Sequence, residues 1–99
     1  CMRKRLECII RGRVQGVFFR DSVRKRARSL SLTGTVGNTG DGALRVVAEG
    51  EESALRSLLE YLKKGPPLAK VASDEPSWRE PSGEFGGFNI VYSSFFDRL

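Results

Sequence analysis

The apolar positions of the chain change period several times, and each change marks an element. Leu6 to Arg11 carries the β-branched pair Ile9 and Ile10 and predicts a first strand, roughly Lys4 to Arg11. The period then lengthens. Phe19, Val23, Ala27 and Leu30 recur every three to four residues, which predicts a helix over Phe19 to Leu30 with its arginines turned outward. Asp21 is expected in its first turn, where the helix dipole suits a negative charge. Leu32 to Asn38 predicts a second strand, and Asn38-Thr39-Gly40-Asp41-Gly42 predicts a hairpin turn. Ala43 to Glu49 returns as a third strand that Gly50 ends.

Glu51 to Lys64 predicts a second amphipathic helix with Leu55, Leu58, Leu59 and Leu62 on its core face. Acidic residues lead it, Lys63 and Lys64 finish it, and Gly65-Pro66-Pro67 stops it. Leu68 to Glu80 reads as extended, but Pro76 and Pro81 assign it to a sheet edge or an irregular strand. Within it, Trp78 reads as a packing residue or a partly covered surface aromatic. Phe88 to Tyr92 is a last short strand, and Ser93 to Leu99 is a tail bearing Phe95, Phe96 and Leu99.

The resulting order is β-α-β-β-α-β with one further short strand. That order predicts an α+β fold, a ferredoxin-like α/β sandwich in which two helices cover one face of a largely antiparallel sheet. The 99 residues suffice for a single domain with one modest core. Helix one carries the chain back across the sheet, so strands one and two reach the same end through their C-termini. This topology places Arg20 and Asn38 in range of each other.

Charge narrows the possible partners only partly. Lysine and arginine number 17 against 12 acidic residues, a net +5. Arg3, Lys4, Arg5, Arg11 and Arg13 crowd the first strand, and Arg24, Lys25, Arg26 and Arg28 the first helix. Such a potential attracts small anions and nucleic acid alike. The absence of histidine, with Cys1 and Cys8 lacking ligand spacing, argues against a zinc site. Cys8 reads as a reduced strand residue, with a Cys1–Cys8 bridge the minor alternative. Cys1 precedes Met2, as an added residue does. No apolar run has the length of a membrane span and no signal-peptide pattern is seen, so a soluble, cytoplasmic protein is expected.

Between the first strand and the first helix lies Gly12-Arg13-Val14-Gln15-Gly16-Val17-Phe18-Phe19-Arg20. Gly12 and Gly16 permit backbone conformations that a Cβ resists. The unpaired amides and the dipole at the new helix's N-terminus favour an anion, and a run of curled amides makes an anion nest. Arg20 can close a planar, permanently charged fork over the same anion. A plain tight turn with a solvated arginine is the alternative. Two glycines, the strand before, the helix after and the arginine together favour a phosphate or carboxylate site. No Gly-Lys-Ser/Thr follows, which excludes a nucleotide P-loop, and the glycine spacing excludes a dinucleotide fingerprint. Asn38 reads equally well as a turn residue tolerating a left-handed conformation or as a site residue.

At these residues the chain resembles the acylphosphatase family. Ile10 to Arg20 covers every position of that family's first signature, and Gly34, Val36, Asn38, Gly42 and Gly50 match its second. Thr35, Gly37 and Leu44 depart from it; Thr35 and Gly37 flank Asn38 and bear on rate more than on reaction type. Gly65 to Val71 and Gly83 to Phe88 also look familial, so the resemblance spans nearly the whole chain except the tail. The resemblance implies hydrolysis of the carboxyl–phosphate bond of small acyl phosphates, without metal or cofactor, with inorganic phosphate as product and inhibitor. It places the phosphate loop at the amides of Gln15, Gly16, Val17, Phe18 and Phe19. The essential arginine falls at Arg20 and the water-positioning asparagine at Asn38. A monomer is expected.

The chemistry is compatible with these residue types. Phosphoryl transfer is mainly positioning and charge stabilisation, and a carboxylate leaving group departs without a general acid. Arg20 cannot serve as a base, since its pKa lies far above neutrality; it can stabilise equatorial phosphate oxygens alongside the amides. Two other readings compete. An RNA-binding module of the RRM kind shares the element order, but needs exposed aromatics where strands one and three offer Ile9, Ile10, Leu44, Val46 and Val47; nucleic acid is therefore disfavoured. An accessory domain that binds acyl or carbamoyl phosphate without turnover is the other.

Overall fold

Alternate residues of β1 (Arg3–Arg13) behave as a half-buried strand requires: Leu6, Cys8 and Ile10 are fully buried, while Arg5, Glu7 and Ile9 between them keep partial contact with solvent. This strand belongs to a computed structural model that describes residues 2–13, 17–65 and 70–91, with the side chains of Arg13 and Val17 outside the description. The chain continues as α1 (Val17–Ser29), β2 (Thr33–Asn38), β3 (Leu44–Glu51), α2 (Glu52–Lys64), β4 (Lys70–Arg79) and β5 (Phe88–Ile90). The sheet order is β4-β1-β3-β2-β5. All pairings are antiparallel except β5, which lies parallel to β2. The expected ferredoxin-like α+β sandwich is the fold.

Both helices pack on the face that carries Leu6, Cys8, Ile10, Val36, Leu44, Val46 and Ala48. From α1 the core takes Phe19, Val23 and Ala27, and from α2 Leu55, Leu58 and Leu62; Leu30 and Leu59 lie at its margin. Burying side chains of this kind stabilises the fold by about 1.5–3 kcal/mol each. Cys8 is a free thiol within this core, and burial pushes its pKa up to about 11, so it is inert near neutrality.

Several local expectations shift. Because α1 begins at Val17, Asp21 lies beyond its first turn; it pairs with Arg24 and with Lys25 at 3.2 Å instead of serving the helix dipole. Gly50 does not end β3 but pairs with Lys4, and the strand runs on to Glu51. The helix end is closed at Ser31, whose φ of 59° is left-handed: its N–H donates to the Arg28 carbonyl, and the Leu32 N–H reaches back to that of Ala27. α2 stops as its sequence demands, with Gly65 at φ 72° and its N–H donating to the Tyr61 carbonyl.

Both halves of the β4 expectation hold. The strand is at the sheet edge, and its register against β1 slips between Arg11 and Gly12. Trp78 is 37% exposed, with the Arg56 guanidinium 5.1 Å from its ring centroid. The tail, Ser93 to Leu99, lies outside the described residues.

Candidate active site

Register fixes which loops share an end of the sheet. Ile10 on β1 and Asn38 on β2 both pair with Leu44 of the intervening β3. Two strand spacings put the Ile10 and Asn38 backbones about 10 Å apart. β1 and β2 run the same way beside β3, so both deliver their C-terminal ends here. β1 continues to Arg13, and α1 opens at Val17. The N-terminus of α1, where the helix dipole favours an anion, therefore lies at the end of the sheet where Asn38 closes β2.

Of the residues singled out in the sequence, Gln15 and Gly16 lie outside the described residues. Val17 opens α1. Phe18 is 83% exposed, whereas Phe19 is turned inward and buried. Arg20, in the first turn, is partly buried and its Nε is shielded from solvent. Asn38 is partly buried, and its Nδ2 donates to the Ala43 carbonyl at 3.4 Å. That bond uses the amide end of the carboxamide.

Gly12 is required for a reason different from the one its sequence position suggests. It belongs to β1, has φ 129°, and a Cβ there would lie 2.2 Å from the Lys70 carbonyl oxygen and 2.6 Å from the Ala72 nitrogen. Its lack of a side chain lets β4 approach where the register slips. At Gly34, likewise, a Cβ would meet the Val47 oxygen at 1.8 Å.

The hairpin after Asn38 holds residues that sequence reasoning missed. The Thr39 N–H donates to the Ala43 carbonyl at 2.8 Å, and the Ala43 N–H donates to Asp41 Oδ1 at 3.4 Å. Asp41 also accepts from the Thr39 hydroxyl and, at Oδ2, from Arg11 Nη1 at 3.0 Å. The Thr39 hydroxyl and Arg11 lower the Asp41 pKa to about 2. Strand parity was the one signal pointing to Arg11, since it sets the side chain opposite to buried Ile10.

The opposite, helix-free face carries Arg5, Glu7, Ile9, Arg45, Val47 and Glu49 on β1 and β3, with no aromatic among them. Glu7 is met there by Arg5, Arg45 and Arg79. Base stacking has no platform on these strands. Among the described residues, no group of three or more acidic, cysteine or histidine side chains could hold a metal ion, and no helix is long and apolar enough to cross a membrane.

The two-layer ferredoxin-like α+β sandwich, with Asn38 closing β2, sets the class of fold. Residues 6–90 match the acylphosphatase family model. An acylphosphatase of Salinibacter ruber is 45% identical over 87 residues, covering 88% of this chain and 92% of the relative. The crystal structure of acylphosphatase from Bacillus subtilis superposes with a TM-score of 0.85 at 38% identity, covering 90% of this chain and 99% of that one. Full-length HypF, crystallised in a phosphate- and nucleotide-bound form, matches at TM-score 0.84 and 30% identity, but only 12% of its chain is covered. The chain belongs to the acylphosphatase family and is an enzyme of that family.

Proposed function

We propose that this chain hydrolyses small acyl phosphates to a carboxylate and inorganic phosphate, with Arg20 and Asn38 as its catalytic residues. The amides of Gln15, Gly16, Val17, Phe18 and Phe19 and the guanidinium of Arg20 receive the phosphoryl oxygens, and their charge is worth most as it spreads over the transition state. Asn38 accepts from a water at its carboxamide oxygen and aims it at phosphorus. The water oxygen bonds to phosphorus while the bond to the acyl oxygen breaks. The electron pair leaves on the carboxylate, and a water proton passes to a phosphate oxygen. No side-chain acid is needed, because the leaving group is weakly basic, and no side-chain base, because the phosphate oxygen takes the water proton. The chain acts as one domain and as a monomer.

The observation that carries this reading is the shared row through Leu44, which brings Asn38 to the end of the sheet where α1 opens. Turnover of benzoyl phosphate tests it. Arg20→Ala and Asn38→Ala should each lose at least ~10²-fold in rate while remaining folded by circular dichroism. Inorganic phosphate should compete with substrate. Near-normal hydrolysis by folded Asn38→Ala would remove the water-positioning role.

A second reading takes support from the HypF match, in which this fold occupies a small part of a long chain. As an accessory domain, the protein would bind an acyl or carbamoyl phosphate and release no phosphate. The same assay separates the two.

A further inference from the structure

The carboxamide of Asn38 is the end of a chain of contacts that starts on another strand. Its Nδ2 and the Thr39 N–H both donate to the Ala43 carbonyl. The amide of that same Ala43 donates to Asp41 Oδ1, and Arg11 holds the other carboxylate oxygen, Oδ2, at 3.0 Å. Arg11 Nε in turn donates to Glu75 of β4 at 3.3 Å. β1 and β2 share no backbone ladder, since β3 lies between them. The Arg11–Asp41 ion pair joins β1 directly to the turn between β2 and β3. Arg11 also immediately precedes Gly12, in the strand that leads to α1.

We infer that Arg11 and Asp41 are a positioning pair, tying the Asn38 hairpin to the strand that feeds the phosphate loop so that water and phosphoryl group keep a fixed mutual placement. The inference rests on the proposed role of Asn38. Arg11 and Asp41 side chains are 47% and 60% exposed. An exposed pair of this kind adds little to global stability. Its effect falls on geometry, where a displacement of about 1 Å can cost a large part of the rate.

The test is a double-mutant cycle on benzoyl phosphate turnover. Asp41→Ala is expected to lower kcat at least about 5-fold with KM and inhibition by phosphate unchanged, the pattern of an interaction felt only in the transition state. Its melting temperature should stay near that of the parent. Arg11→Gln should behave alike from the other side of the pair, and Arg11→Lys should recover most of the loss. Introduced into Asn38→Ala, Asp41→Ala should cost less than about twofold more, because its effect passes through Asn38.

A severely impaired Asn38→Ala beside Asp41→Ala and Arg11→Gln enzymes of parental kcat would overturn the pair alone. Losses that multiply fully in the double variant would do the same. Parental turnover by Asn38→Ala would overturn the role of Asn38, and the pair with it.

Discussion

Glu49 holds Ser82, 33 residues further along the chain, through one carboxylate oxygen that accepts both the Ser82 N–H at 2.9 Å and its hydroxyl at 2.8 Å. The other oxygen accepts the Gly83 N–H at 2.9 Å, and Arg5 Nη1 closes on Glu49 at 2.8 Å. The clasp answers a topological need. β4 and β5 are the two outermost strands, so their connection must cross the sheet, and Glu49 on central β3 pins it to the helix-free face.

Acid should loosen that clasp. Burial alone would raise the Glu49 pKa, but the bonds from Ser82, Gly83 and Arg5 outweigh it and bring it from 4.5 to about 2. A depressed folded pKa gives stability that is complete above the unfolded value and lost as pH falls through 4.5 toward about 2. Urea midpoints should decline over that window and hold steady from its upper edge to neutral pH. Glu49→Gln should cost roughly 2 kcal/mol at neutral pH, about 10 °C in Tm, and should flatten part of the acid decline. An unchanged acid profile in that variant would refute this account of the clasp.

The turn after α1 offers a stabilising change. Ser31 adopts φ 59° to complete the helix end, a conformation in which its Cβ is penalised. Ser31→Gly keeps both backbone bonds and removes that penalty, so it should raise stability by roughly 0.5–1 kcal/mol in thermal or urea melts. A lower Tm would show that the serine side chain makes up for the strain.

Gly12 and Gly83 separate strain from crowding. Both have positive φ, 129° and 74°, yet nothing lies within 4 Å of a Cβ at Gly83, whereas at Gly12 the β4 backbone is at 2.2 Å. Gly83→Ala should therefore cost about 1–2 kcal/mol from the backbone alone. Gly12→Ala should cost clearly more, and it should also lower kcat, because β1 must shift where it leads to the phosphate loop. Equal losses in the two variants would count against the close approach of β4.

Much of this architecture was legible because periodicity and punctuation agreed. The spacing of Phe19, Val23 and Ala27 gave α1, and the leucines Leu55, Leu58 and Leu62 gave α2, all of them now buried. The two-helix sandwich followed from the β-α-β-β-α-β sequence of elements, and with it the shared end of the sheet at which β1 and β2 both finish. What stayed hidden depends on register. Whether Arg11 meets Asp41, or Glu49 meets Ser82, turns on side-chain parity in strands paired through long connections, and no local pattern encodes it. Asp21 was misplaced for a simpler reason: helix starts are uncertain by a residue or two, enough to move it out of the first turn.

Trp78, the single tryptophan, provides a probe of the other end of the molecule. It faces Leu6 across the β1–β4 ladder, while the candidate site lies beyond Ile10, roughly 13 Å further along the strand. Around it, Lys4, Glu52, Arg56, Arg79 and Glu80 line a cavity of about 410 Å³. Its basic residues could also attract an anion, but Arg56 is engaged by Glu52 at 2.7 Å as well as by the Trp78 ring. Saturating phosphate should therefore inhibit turnover without altering Trp78 emission. Arg56→Ala should change the emission, by uncovering the ring, and leave kcat near the parental value. A phosphate-dependent change in emission that Arg56→Ala abolishes would instead place an anion site in this cavity, far from Arg20 and Asn38.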